Sequence, residues 1–357
     1  EEDFVRSNTL AHAITNLQSK RDTLDSIAYR NTEKALFGLL QKTLEYEEKE
    51  TIIGPNRMSY YKTDKDATAM ALKADYYAKL GSHMHAAYNV QILVIQGLIF
   101  SYLVSQSRDD MNLFIDVMDK FHRSYKVYPK RICADAGYGS LENYRYLHQH
   151  HIENYVKHLS WEGNKSARNP DAFHLNEDDT ITCLNGHVGY EIKLPFRHPR
   201  KAESVFYKVE KCSLCQWAPY CKRFMSKQDE DFKIFEVVKD LERYKYESQL
   251  NLCSPKGIEL RVNRSIQVEG VFGIVKQDYG YVRFRRRGLL KVSTESMLNY
   301  LGFNVAKLFR YFETGKQNTF WTAPDNLEPE IFKKLSWKRL TKKGRNVNAI
   351  MRQSWNK

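Results

Sequence analysis

The sequence predicts an α/β domain interrupted by a polar, cysteine-bearing insertion. Between residues 85 and 158, runs rich in β-branched and aromatic residues alternate with stretches whose apolar positions recur at helical spacing. Residues 161–235 break the alternation and hold four of the six cysteines. Regularity returns from Phe235.

Taken in order, residues 3–50 place Leu10, Ile14 and Leu17, then Leu36, Leu39 and Leu40, at helical intervals, which predicts two helices in a hairpin. Ile52 to Tyr61 is a Gly-Pro connector, and Asp66 to Leu80 is expected to be a helix. HAAYNVQILVI (85–95) and LIFSYLVSQS (98–107), separated by Gln96-Gly97, read as an antiparallel hairpin. Asp109 to Tyr125 carries Leu113, Phe114, Val117, Met118 and Phe121 on one helical stripe. RICAD (131–135) is a short strand ended by Ala136-Gly137-Tyr138-Gly139, with Ser140 as N-cap of the next helix, and IENYVKH (152–158) is a further strand. After the insertion, Val262 to Lys276 forms a helix that packs through Val262, Ile266, Val271, Phe272 and Val275. Another helix runs from about Thr294 to Phe312, and the end, Trp337 to Lys357, has seven Lys or Arg and no acid, as a solvated tail would. The expected organisation is a helical segment (1–60), a first core part (61–160), the cysteine-rich insertion (161–235), a second core part (236–316) and a basic tail (317–357).

The net charge of +13 over 357 residues favours a polyanionic partner, and nucleic acid is the commonest. No stretch approaches the roughly 18 apolar residues of a membrane span, and Glu1-Glu2-Asp3 does not open a secretory leader, so the expectation is a cytoplasmic protein. The lack of an initiating Met suggests that the numbered chain begins inside a longer reading frame.

Two acids stand apart from the rest. Asp135 ends a strand and precedes a small-residue turn into a helix, the place where α/β folds display functional groups. It could equally cap that turn. Glu269 is the one acid in RSIQVEGVFGIVKQ, with Arg261 and Arg264 before it and Lys276 seven residues after it on nearly the same helical face. An exposed helical Glu among basic neighbours is the plainer reading. Taken together, two isolated carboxylates in opposite halves of an α/β domain are parts of a divalent-metal site, which needs hard oxygen ligands from separate elements.

ICADAGYGSLENYRYL, followed after the insertion by NRSIQVEGVFGIVKQDYGYVRFRRRG, resembles the second-Asp and Glu segments of the DDE transposases of bacterial insertion sequences. The similarity extends back through KTDKDATAMALKADYY and HAAYNVQILV and forward to about Phe312. It implies an RNase H-like core, a mixed sheet flanked by helices. It also implies Mg²⁺ or Mn²⁺ held by Asp135 and Glu269, and a homo-oligomer acting on transposon-end and target DNA in the bacterial nucleoid. By the same resemblance Lys276 positions transposon-end DNA. The family's Arg, four residues before the Glu, falls here on Ser265, with Arg264 one residue off. The family's first Asp, in an Asp-Gly-Thr context, has no counterpart, so it is expected upstream of residue 1, with Asp64 and Asp66 as fallback candidates and Asp66 carried as the catalytic candidate. Two other readings stay open: a truncated, noncatalytic DNA-binding remnant of such a transposase, and a related nuclease that cuts without joining.

Cys183, Cys212, Cys215 and Cys221 are candidate ligands of a structural Zn²⁺, because the two-residue gap of Cys212-Ser-Leu-Cys215 lets two thiolates reach one tetrahedral ion. Chance clustering of reduced cysteines is the alternative, and His187 or His198 could substitute as ligands. Cys133 and Cys253 read as ordinary buried thiols. Lys211, Lys222 and Arg223 flank the cluster as a surface for DNA. Arg283, Arg285, Arg286 and Arg287, interleaved with Tyr279, Tyr281 and Phe284, suit contacts to backbone phosphates.

Overall fold

Apolar spacing builds the start of the chain as it should: helix α1 (Ser7–Ser19) pairs with the long α2 (Ser26–Ile53), burying Ile14 and Tyr29. The computed structural model describes residues 5–23, 26–55, 57–72, 83–159, 173–194, 203–222, 230–315, 320–325 and 327. They fall in two compact units, one of Glu1–Val90, Val104–Arg108 and Phe284–Ser296, the other of Gln91–Leu103, Asp109–Arg283 and Met297–Lys357.

In the first unit Glu47 of α2 accepts from the Ser7 N–H at 2.9 Å and the Ser7 hydroxyl at 2.6 Å, which satisfies an orphan donor in the first turn of α1. The helix expected over Asp66–Leu80 does not begin there. Thr68–Ala71 is instead strand β1, antiparallel to β2 (Met84–Ala87) with Thr68 opposite Ala87, while residues 73–82 lie outside the described part. Pairing overrides helical spacing here: Thr68 is buried and its hydroxyl donates to the Gln106 carbonyl at 2.7 Å. The strand expected over 85–95 is correspondingly split at Tyr88.

The hairpin of β3 (Asn89–Ile95) and β4 (Leu98–Ser105) gives residues 91–103 to the second unit. Gln96 (φ 54°) and Gly97 (φ 78°) are both left-handed, as a tight turn matching strand twist requires. Helix α3 (Phe114–Tyr125) buries the expected stripe of Phe114, Val117, Met118 and Phe121. Strands β5 (Arg131–Ala134) and β6 (Glu153–Val156) pair in parallel, joined by α4 (Leu141–Gln149), whose N-cap Ser140 accepts the Asn143 N–H at 3.1 Å. Their core joins Phe114 and Met118 to Tyr144, Leu147, Ile152 and Val156. Fully burying one such apolar side chain contributes roughly 1.5–3 kcal/mol.

The α/β character is borne out, but the single mixed sheet is not. Among the described residues β3–β4 and β5–β6 are separate two-stranded sheets. Side chains take the place of a backbone ladder: Gln91 on β3 reaches Asp110 at 2.8 Å and accepts from the Tyr138 hydroxyl beyond β5. Outer edges are closed in the same way. Ser248 and Asn251 donate to the Val156 and Asn154 carbonyls of β6 at 2.5 and 3.0 Å, and Asn304 bonds both the N–H and the C=O of Ile99 at 2.9 and 2.7 Å.

The insertion is far more regular than its polarity suggests. β7 (Phe173–Leu175), β8 (Ile181–Cys183), β9 (Val188–Ile192), β10 (Val205–Glu210) and β11 (Phe232–Val237) form an antiparallel sheet in the order 11-10-9-8-7. Ile181, Tyr207, Val209, Phe235 and Val237 bury one face as a core of their own. A four-residue helix, α5 (Ala218–Cys221), lies in the β10–β11 connection.

Helices α6 (Lys239–Cys253) and α7 (Pro255–Arg264) follow, with Ser254 capping α7 through the Gly257 N–H at 3.0 Å. The expected helix through Glu269 continues, but wider: π-helical turns at Ser265–Glu269 and Ile274–Asp278 flank α8 (Gly270–Gly273). Helix α9 (Leu289–Thr314) closes the regular structure. Residues 320–325 dock on α7. Trp321 exchanges two hydrogen bonds with Asn263 at 2.8 and 3.0 Å, and the Ala323 N–H reaches Glu259 at 3.3 Å. Trp337 to Lys357 lie outside the described residues. Among the described residues no helix is long and apolar enough to cross a membrane.

His158, just after β6, makes the fold acid-sensitive. Burial, with Lys245 nearby, pushes its imidazole down to about 4 against a Gln249 hydrogen bond that acts in the other direction. Below pH 6.5 the unfolded chain takes up a proton that the folded chain refuses until about pH 4, so stability falls across that window by about 3 kcal/mol. Denaturant titrations at several pH values should show this drop, and His158→Gln should flatten it relative to wild type.

Candidate active site

β5 delivers Asp135 to its carboxyl end with extended backbone (φ −72°, ψ 167°). The following turn packs against the chain after β6, and only glycine fits at 139, where a Cβ would stand 2.6 Å from the Lys157 carbonyl oxygen. The Asp135 side chain does not cap this turn. It accepts instead from Arg264 Nη1 at 2.7 Å, across 129 positions of sequence.

Arg264 also donates through Nη2 to Glu269 Oε1 at 3.2 Å. The two acids singled out from sequence therefore meet at one guanidinium, which is only 16% exposed while their side chains are 54% and 65% exposed. The resemblance asks for an Arg four residues before the Glu, and here the interval is five. The π turn at Ser265–Glu269 absorbs the difference, since its i→i+5 repeat brings residues five apart onto one face. Gln267, in the same turn, accepts the Gly97 N–H at 3.0 Å and holds the tip of the β3–β4 hairpin. Lys276 is exposed, its ammonium 5.5 Å from the Phe272 ring centre.

One acid at this site was missed in the sequence. Asp110 Oδ2 lies 3.4 Å from where a Cβ at position 137 would be, beside the Asp135 turn. The half-buried phenol of Tyr138 registers the grouping: burial raises its pKa well above the ordinary value, Asp110 and Asp135 raise it further, and Arg264 opposes them. The Asp109-Asp110 pair just after β4 was the available signal, and it was read only as a helix start. Among the described residues no three Cys, His, Asp or Glu side chains form a ready metal-holding cluster.

Asp66 belongs to the first unit, where its Oδ2 accepts the Leu289 N–H at 2.9 Å and so holds the start of α9. Both oxygens of Asp64 accept the Gly288 N–H at 3.2 Å, where φ is +89°. Glu295 receives the N–H groups of Arg285 (2.9 and 3.2 Å) and Arg286 (3.0 Å). Carboxylates thus grip the backbone of the basic loop while the side chains of Arg285, Arg286 and Arg287 stay exposed; Arg283, also exposed, belongs to the second unit.

All four clustered cysteines line one small cavity at an end of the five-stranded sheet, together with His187, Trp217, Lys222 and Lys233. Lys222 is not the surface cation expected: it is buried and donates to the Glu230 carbonyl. Arg223 and His198 lie outside the described residues. Cys133, pushed up to about 11 by burial, is the ordinary neutral thiol expected.

Residues 182–309 match the family described as transposase DDE domain, a span that takes in Glu269, Lys276, the basic loop and most of the cysteine-bearing sheet. Over these residues the chain is similar to DDE transposases. No curated protein and no solved structure matches the chain.

Proposed function

We propose that this protein is a transposase that cleaves DNA at the ends of a mobile element, of the insertion-sequence kind, and joins them to target DNA, with Asp135 and Glu269 as ligands of Mg²⁺ or Mn²⁺. The observation that carries this reading is the convergence of the two carboxylates on Arg264. A guanidinium standing between them marks a place where two acids from distant segments share one cation, which is the donor set hard divalent ions need. When bound, such ions activate water or a 3'-hydroxyl and offset the charge that develops on a phosphodiester under attack.

The chain's own residues do the rest. β5 and the π turn hold Asp135 and Glu269 on separate elements, and Arg264 keeps their like charges together in the absence of DNA. Lys276 and the exposed arginines supply phosphate contacts, which give affinity and orientation without reading sequence. Asp110, beside the Asp135 turn, is the candidate for a third carboxylate.

The deciding assay is cleavage and joining of end-bearing DNA by the full-length protein with Mg²⁺ or Mn²⁺. Metal-dependent joined products are expected; cleavage without joining would leave the nuclease reading, and binding with neither would leave the noncatalytic one. Replacing Arg285, Arg286 and Arg287 together by Ala should weaken duplex binding and flatten its dependence on log salt by about 2 to 3, at roughly 0.9 per lost phosphate contact. An unchanged slope would remove these three arginines from the interface.

A further inference from the structure

The cavity ringed by Cys183, Cys212, Cys215 and Cys221 has a feature no spacing argument contains: two buried lysines. Lys222 and Lys233 are only 4% and 5% exposed, and both line that cavity. Each is tied in place, Lys233 Nζ to the Cys221 carbonyl at 2.7 Å and Lys222 Nζ to the Glu230 carbonyl. Lys233 also stands 4.5 Å from the Phe235 ring centre.

The cysteines arrive from two loops of the sheet. Cys183 ends β8, in a turn closed by the Gly186 N–H to its carbonyl at 2.9 Å, with Gly186 at φ +82°. Cys212 and Cys215 form a knuckle closed by the Cys215 N–H to the Cys212 carbonyl at 3.1 Å, with Leu214 fully exposed at its tip. Cys221 ends α5. All four line the same small cavity, together with Lys222 and Lys233.

We propose that these four cysteines bind one zinc ion as a tetrathiolate centre whose charge is balanced by Lys222 and Lys233. One divalent cation and four thiolates leave two negative charges, and two ammonium groups match them. Neutral thiols gain nothing from two ammonium neighbours. A buried doubly negative centre gains charge balance and donors to its sulfurs, the outer-shell support that tunes metal sites. His187 then lines the wall beside a complete sulfur set and is not a ligand. The centre is structural, since four protein ligands leave no open position, and it ties the β8–β9 turn to the β10–β11 connection. Binding releases the four thiol protons to solvent with no change of oxidation state.

The full chain, purified under reducing conditions without added metal, should carry one zinc per chain by elemental analysis. Replacing zinc with cobalt(II) should give the sulfur-to-metal charge-transfer and intense visible bands of a tetrahedral thiolate site. Cys215→Ser should lose the metal, whereas Cys253→Ser should keep it. Lys222→Met and Lys233→Met should each weaken zinc affinity roughly 10–100-fold in chelator competition, and His187→Ala should not. Should Cys215→Ser fail to fold, competition on the wild-type chain decides, with chelation expected to lower its melting temperature. A folded wild-type chain without zinc, zinc retained in Cys215→Ser, or affinity indifferent to both lysines would overturn the proposal.

Discussion

Glu269→Gln should abolish metal-dependent strand cleavage while leaving the fold intact. The amide oxygen can still accept from Arg264, and the side chain is largely exposed, so the melting temperature should not move. What disappears is the negative charge of the oxygen proposed as a metal ligand. Metal-assisted stabilisation of a phosphoryl transition state amounts to several kcal/mol, so losing a ligand should slow cleavage by about a thousandfold or more. Asp135→Asn should do the same by the same route. Cleavage rates under single-turnover conditions, with duplex binding measured in parallel, separate chemistry from affinity; unchanged cleavage in Glu269→Gln would end the metal-ligand assignment. Asp110→Asn in the same assay decides the third carboxylate: a loss of similar size places it in the site, and a small effect leaves it supporting Gln91.

Gly257→Ala should be the most damaging single methyl group in the described residues. Glycine to alanine in an open helix ordinarily stabilises by about 0.4–1 kcal/mol, because the unfolded chain loses freedom. That is the expectation at Gly302, where nothing stands within 4 Å of a new Cβ. At Gly257 the added carbon would lie 2.0 Å from the Asn251 carbonyl oxygen and 2.6 Å from Leu252 Cα. Both obstacles are backbone, so α6 and α7 would have to separate at their junction. The cost should exceed the roughly 1–3 kcal/mol of ordinary overpacking. Because α7 leads directly into Arg264 and Glu269, cleavage should fall together with the melting temperature. Equal melting temperatures for Gly257→Ala and Gly302→Ala would show that this junction yields cheaply.

The helical hairpin at the start, the Gln96-Gly97 turn, the stripe of α3, the Ser140 cap and the β5 and β6 strands were legible because each rests on local periodicity or on one residue's turn chemistry. Asp135 and Glu269 were legible as isolated acids in small-residue and basic company. Thr68–Ala71 was misread because short alanine-rich runs satisfy helical spacing until a partner strand competes for them. The five strands of the insertion were missed because each is three to six residues long and their alternation is diluted by polar turns.

By itself, then, the sequence determined which segments are helix or strand where the period is strong, which two acids lack local company, and that the chain is basic enough to seek a polyanion. Only the tertiary structure decided that Arg264 joins those acids, that a π turn absorbs a one-residue offset, that Asp110 stands beside Asp135, and that two lysines lie buried against four thiols. The physical reason is range. Backbone preference and side-chain period act over a few residues, whereas these contacts join positions far apart in sequence, or depend on a wider helical turn that no residue pattern announces.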